Sequence, residues 1–313
     1  MRFLRNPAFV PTLCSARWSR PAGWGGRPGR GGMNTDAGAR HASPLQQTRR
    51  IAGEDPMGTQ PLKERILIVG APAFAEDLGG LFLEQGYPTA VLTCEGEVPS
   101  TLSPALEAEA RSAALALEVL PSPLEAKQTL IAILDQALPP ETPLLSLCLT
   151  VSATQVASWT RRPGRVVGFA ALPPLTRGAP AELAIPLSGD STALKPAKAY
   201  LEGIGLQIEV VRDAVGMVLP RILCALINEA AFAVMEGVAS PEDIDTAMKL
   251  GTNYPRGPLE WGDLLGLDLV VAVLDALEAE HRNGAYRAAP LLRQMIRAGH
   301  LGRKAGRGFY PWS

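Results

Sequence analysis

Histidine is scarce in this chain: among 313 residues there are 3, His41, His281 and His300. That shortage limits imidazole catalysis and metal ligation from the outset, and no metal site is expected. Cysteine is nearly as rare. Cys14, Cys94, Cys148 and Cys224 lie far apart and form no CxxC pair. A disulfide framework or zinc ribbon is thereby excluded, and a reducing compartment, the cytoplasm, fits best. No uncharged apolar run reaches the ~18 residues of a membrane helix. The most apolar stretch, residues 221–236, carries Arg221, Asn228 and Glu229 and reads as a buried helix. Neither charge sign dominates: 30 Lys and Arg against 31 Asp and Glu give a net charge of -1. No broad basic field is left to attract nucleic acid or an anionic bilayer.

Acids are missing altogether before Asp36, where Arg2, Arg5, Arg17, Arg20, Arg27 and Arg30 all occur. Glycine and proline crowd residues 21–32, a composition that does not bury enough apolar surface to offset its ordering entropy. An Arg-rich, acid-poor start is one mark of an organelle transit peptide. The glycines and prolines would break the amphipathic helix such peptides form. Residues 1–57 are therefore read as a disordered tail, or as a gene start placed upstream of true initiation at Met33 or Met57.

What is present is apolar filling. Hydrophobic residues make up 47% and charged ones 19%, enough for real cores, and the length suits roughly two domains of ~150 residues each. Residues 65–93 read RILIVGAPAFAEDLGGLFLEQGYPTAVLT. Residues 66–69 are an aliphatic run suited to a strand buried on both faces. Residues 74–85 follow as a helix with Leu78, Leu81 and Phe82 on one face, stopped by Gly86. Residues 89–92 make a second strand. Strand, tight turn, helix and strand open a doubly wound nucleotide-binding fold.

The chemistry of that opening depends on three glycines: one for the turn, one for backbone approach to a pyrophosphate, one for helix–strand packing. The GxGxxG positions fall on Gly70, Pro72 and Ala75, so only the first is glycine. Pro72 has no N–H for a phosphate. The acid expected at the end of the second strand aligns with Thr93, and Glu95 lies two residues on. Further strands at 115–120, 144–149 and 165–169, with helices at 123–137 and 151–159, continue the alternation and predict a parallel sheet.

Residues 216–313 are predicted helical throughout, with helices over 222–235, 240–250, 259–265, 267–280 and 290–299. Ser240 is an N-cap, Pro241 takes the first helical position, Glu242 and Asp243 fill the first turn, and Gly251 is the stop. The run GVASPEDIDTAMKLGTNYPRGPLEWGDLLGLD (237–268), the segment PLLRQMIRAGHLGRKAGRGFY (290–310) and the preceding NEAA (228–231) resemble the C-terminal helical domain of 3-hydroxyacyl-CoA dehydrogenases. The likeness continues through LEVLPSPLEAKQTLIAILDQALPPET (117–142) and RRPGRVVGF (161–169).

The resemblance implies an α/β fold: a Rossmann-like doubly wound parallel sheet over residues 58–212, followed by an all-α C-terminal domain over 213–313. It implies NAD as cofactor, an acyl-CoA-type small molecule as ligand, and a homodimer formed through the helical domain. Members of this family oxidise a 3-hydroxyacyl-CoA to the 3-keto form. A His serves as general base, a Glu polarises it, and a Ser and an Asn support the substrate oxygen. Matched position by position, the His falls on Ala170 within GFAALPP, whose Asn position is Pro173. The Ser falls on Leu149 within LCLT, and the supporting Asn on Pro220 before Arg221. The Glu is kept as Glu182. In the cofactor cleft a family Glu becomes Ser122 and a Lys is kept as Lys127, read as lying on a helix exterior.

Losing the base alone costs ~10²–10⁴ in rate, and an oxyanion donor ~10² more. Three readings follow: a dehydrogenase of impaired activity, a non-catalytic dimerising or acyl-CoA-binding protein on the same scaffold, and an enzyme of different chemistry using Glu182 with Asp213. The basic cluster Arg303, Lys304 and Arg307 is a candidate for CoA phosphates, or a charged surface tail. Asn228 and Glu229 are expected to pack or cap.

Overall fold

A computed structural model of the chain describes residues 64–94, 98, 101, 103–189 and 191–312, without the side chains of 105 and 191. The expectations for residues 1–57 and for Glu95 lie outside this set. The described residues belong to one compact unit, Thr59–Ser313.

Seven strands form a single sheet: β1 (Arg65–Gly70), β2 (Thr89–Thr93), β3 (Ala113–Val119), β4 (Leu144–Leu147), β5 (Val166–Ala170), β6 (Pro180–Ala184) and β7 (Gln207–Val211). Their spatial order is β2-β1-β3-β4-β5-β6-β7. The first five are parallel, joined by helices α1 (Pro72–Glu84), α2 (Pro104–Arg111), α3 (Leu124–Ala137) and α4 (Ala153–Ser158). Ile66, Leu67, Ile68 and Val69 are fully buried, as a strand covered on both faces requires.

The sheet is not wholly parallel. β6 runs antiparallel to β5, while β7 returns parallel to β6 through α5 (Ser191–Gly203). The cause is the link: residues 171–179 between β5 and β6 contain no helix, and parallel neighbours need a crossover of a dozen or more residues. The strand order reverses between β1 and β3, and that switch point is where open α/β sheets bind ligands.

Five helices follow: α6 (Leu219–Met235), α7 (Pro241–Thr252), α8 (Pro258–Leu265), α9 (Leu267–His281) and α10 (Pro290–Arg297). The Ser240 hydroxyl caps α7 by accepting from the Asp243 amide at 3.2 Å. Gly251 does not stop this helix. It lies inside α7, and Asn253 ends the helix in the left-handed region at φ 56°, a conformation that asparagine tolerates. Two buried carboxylates fasten the C-terminal segment to α7 and α8. Asp263 accepts from the amides of Phe309 and Tyr310, both at 2.9 Å, and from the Trp312 indole at 2.8 Å. Asp245 accepts from the Leu259 and Glu260 amides and the Tyr310 hydroxyl. Asn228 on α6 bonds Arg287 and Ala289, fixing the entry to α10.

Candidate active site

The switch-point crevice has a volume of about 410 Å³ and is bounded by Ala71 to Phe74, Cys94, residues 120–122, Pro173, Leu265, Asp268, Leu269 and Lys304. Gly70 stands at its base with φ +147°. A Cβ there would meet the Val119 carbonyl carbon at 2.5 Å, so the glycine is required by the close approach of β3. The first turn of α1 has little to offer an anion. The Ala71 amide bonds the Val119 carbonyl at 3.1 Å, Pro72 has no N–H, and the Phe74 and Ala75 amides fold back onto the Ala71 carbonyl. Only the Ala73 amide is left. Thr93, at the end of β2 opposite Gly70, is exposed. Lys304 enters the crevice from the C-terminal segment and is paired with Asp268 at 2.6 Å. Ser122 lines the same wall. These residues do not fit a dinucleotide held through a glycine-rich loop.

Lys127 is not on a helix exterior. It is fully buried and ion-pairs with Glu118 on β3, and its ammonium also donates to the Leu120 carbonyl at 3.1 Å. Glu118 in turn accepts from the Ser146 hydroxyl at 2.6 Å and the Leu120 amide at 2.7 Å. Every charge in this cluster has a partner, so Lys127 is not available to a ligand in the crevice. A lone acid inside the apolar strand ALALEV is the signal that could have revealed it, because a carboxylate buried there requires a buried cation.

The positions matched to catalytic roles are apolar or already engaged. Ala170 is 1% exposed and lies at the end of β5, paired in register with Glu182 of β6. Directly opposed residues of an antiparallel pair share a face, so the side chain at 170 stands beside Glu182. Both Glu182 oxygens accept backbone amides at the start of α6, from Val218 at 2.9 Å and Leu219 at 2.8 Å. The carboxylate acts as a helix N-cap and complements the helix dipole. Pro220 follows in the same turn and is buried. Leu149, in the turn after β4, is fully buried. Beside it the Cys148 thiol is pushed up to about 12, chiefly by burial.

Asp213 is likewise occupied. It accepts the Ala153 and Thr154 amides, both at 2.7 Å, and the Thr154 hydroxyl at 2.6 Å, capping α4. Neither described histidine contacts Glu182. His281 packs on the Tyr286 ring with centroids 5.3 Å apart, and His300 follows α10.

A second cavity, about 540 Å³, opens on the other side of Pro173, which lines both. Its walls are the segment after β5 (Leu172, Pro173, Pro174), the exposed side of α6 (Leu219, Ile222, Leu223, Leu226) and the α7–α8 connection with Trp261. Among the described residues its only charged lining residue is Arg256. Sequence reasoning missed this groove. Its lining comes from three segments far apart in the chain, and the one visible hint was an arginine in the apolar stretch NYPRGPLEW. No helix among the described residues is long and apolar enough to cross a membrane.

Comparison with known proteins agrees with this architecture. The model of the 3-hydroxyacyl-CoA dehydrogenase C-terminal domain matches residues 216–312. A probable 3-hydroxybutyryl-CoA dehydrogenase of Bacillus subtilis is 37% identical over 212 residues, covering 68% of this chain and 74% of the relative. The human mitochondrial hydroxyacyl-coenzyme A dehydrogenase is 28% identical over 92% of this chain and 89% of its own length. The crystal structure of (S)-3-hydroxybutyryl-CoA dehydrogenase from Ralstonia eutropha superposes with a TM-score of 0.68 at 28% identity, covering 80% of this chain and 99% of that one. The sheet, the helical region and these likenesses together establish that the chain belongs to the 3-hydroxyacyl-CoA dehydrogenase family, whose reaction is NAD-dependent.

Proposed function

We propose that this chain keeps the dehydrogenase scaffold as an acyl-CoA-binding protein and carries out the family's hydride transfer only at a greatly reduced rate. One observation carries the reading. The Glu182 carboxylate, the sole family acid retained, is fully engaged with the amides of Val218 and Leu219 beside an alanine at position 170. Proton abstraction from a hydroxyl needs a base within about 2.6–3.2 Å of that hydroxyl. Ala170, Leu149 and Pro220 supply neither a base nor a donor for the developing oxyanion.

The acyl-CoA part of the reading rests on the apolar groove beyond Pro173, whose volume falls in the ~300–1,000 Å³ range of ligand sites. The chain pairs with a second copy through the α6–α7 region, where Met235, Val238 and Leu250 expose large apolar side chains at 43%, 70% and 82%. It works in the cytoplasm, in keeping with the free thiols of the described cysteines Cys94, Cys148 and Cys224.

Two titrations test this. NADH is added to the purified full chain while its fluorescence is followed, and octanoyl-CoA is added while heat is measured. Weak or absent NADH binding together with octanoyl-CoA binding supports the proposal. Tight NADH binding without acyl-CoA binding overturns it.

A further inference from the structure

Among the described residues the apolar groove is lined by one charged side chain, and no acid forms an ion pair with it. Arg256 sits at its mouth with the guanidinium over the Trp261 ring, 5.8 Å from the centroid. Among the described residues it forms no ion pair. The neighbouring acid, Glu260, is already held by Lys249 at 3.3 Å and by the Gly257 amide at 3.2 Å. Burial raises the Glu260 carboxyl, but those bonds, with the charges of Lys249 and Arg256, hold it below its usual range, so Arg256 acts on it through space without bonding to it. No acid is among the described residues that line the groove, and its remaining polar side-chain groups are the hydroxyls of Thr176 and Tyr254 and the indole N–H of Trp261. A cation stacked on an indole at one end of a hydrocarbon surface complements an amphiphile of opposite charge.

We infer that the groove takes an aliphatic chain ending in a carboxylate, with the chain against Leu172, Leu223 and Trp261 and the carboxylate paired to Arg256. This rests on the acyl-binding reading above for the hydrocarbon wall and adds a free carboxylate, a group that the thioester end of an acyl-CoA lacks. The recognised group is a carboxylate, which guanidinium engages in a planar two-pronged fashion. The cofactor crevice across Pro173 takes no part.

The test compares octanoate with uncharged 1-octanol, and octanoyl-CoA as a third probe, on the full-length wild type and on Arg256→Gln, by isothermal titration at low salt. Arg256 is exposed, so the expected effect is that of a surface-accessible ion pair. Octanoate affinity should fall about fivefold in Arg256→Gln and also fall on adding salt, with 1-octanol unchanged. Equal losses for octanoate and 1-octanol, or no loss for either, would overturn the carboxylate assignment. Octanoyl-CoA binding to the wild type without octanoate binding would overturn it too, leaving the acyl-CoA reading intact. If none of the three probes binds, both readings fall. Leu223→Asp, which places a negative charge in the groove wall, should abolish octanoate binding whatever Arg256 contributes.

Discussion

If Glu182 holds the start of α6 and no longer serves chemistry, removing it should damage stability and leave turnover where it was. Glu182→Ala deletes two carboxylate–amide bonds of 2.9 and 2.8 Å. Bonds to a charged group contribute about 1.5–3 kcal/mol each. Val218 as a residue is 46% exposed, so water can replace part of the loss there. An N-cap replaced by alanine costs about 0.5–2 kcal/mol in other proteins. A combined cost near 3 kcal/mol follows for Glu182→Ala. Domains of about 150–250 residues lose about 2–4 °C per kcal/mol, so calorimetry should show Tm falling by about 6–12 °C. Glu182→Gln keeps one acceptor oxygen and should fall by about half as much. A Tm within about 1 °C of wild type in Glu182→Ala, with a change in NADH-dependent turnover, would refute the reasoning, because the carboxylate would then be serving the reaction and not the helix.

Other consequences concern groups whose environment the sequence disguised. Lys127→Met should cost about 3–5 kcal/mol in urea unfolding by stranding Glu118, and adding Glu118→Gln should recover most of that. Gly70→Ala should destabilise by about 2 kcal/mol or more, since its Cβ would strike the Val119 backbone. A substitution that weakened only nucleotide binding would leave unfolding untouched. Thiol reagents at mildly alkaline pH should leave Cys148 and Cys224 unmodified until the protein unfolds, because burial pushes both thiols up to about 12. Rapid labelling of either in the native protein, located by mass spectrometry, would contradict that burial.

The sequence displayed elements that declare themselves locally. The aliphatic run of β1 and the Ser240–Pro241 start of α7 are each specified by residues within one turn of the feature, whereas α1, expected from residue 74, begins at Pro72. The edge of the sheet was not legible. β6 and β7 are five residues each, PAELA and QIEVV, and α5 between them carries Pro196 in its interior. Proline there argues against a helix on local grounds, and tertiary packing overrides it.

The identities Ala170, Leu149 and Pro220, at the positions that the family resemblance matches to its polar groups, were legible in the sequence. The surroundings of the polar residues near them were not. That the Glu182 carboxylate bonds amides 36 and 37 residues away, or that Lys127 faces inward to Glu118, depends on which elements the fold brings together. Arg256 escaped notice for the same reason: that it makes no ion pair, with Glu260 bonded to Lys249 and the Gly257 amide, is a property of three dimensions.

The most direct measurement is the steady-state rate of acetoacetyl-CoA reduction by NADH, made on this protein beside the Ralstonia eutropha 3-hydroxybutyryl-CoA dehydrogenase. Loss of a base and an oxyanion donor predicts kcat/KM lower by about 10⁴ or more. A value within tenfold of that relative would mean that Ala170, Leu149 and Pro220 do not disable the reaction, and the account given for this crevice would be wrong.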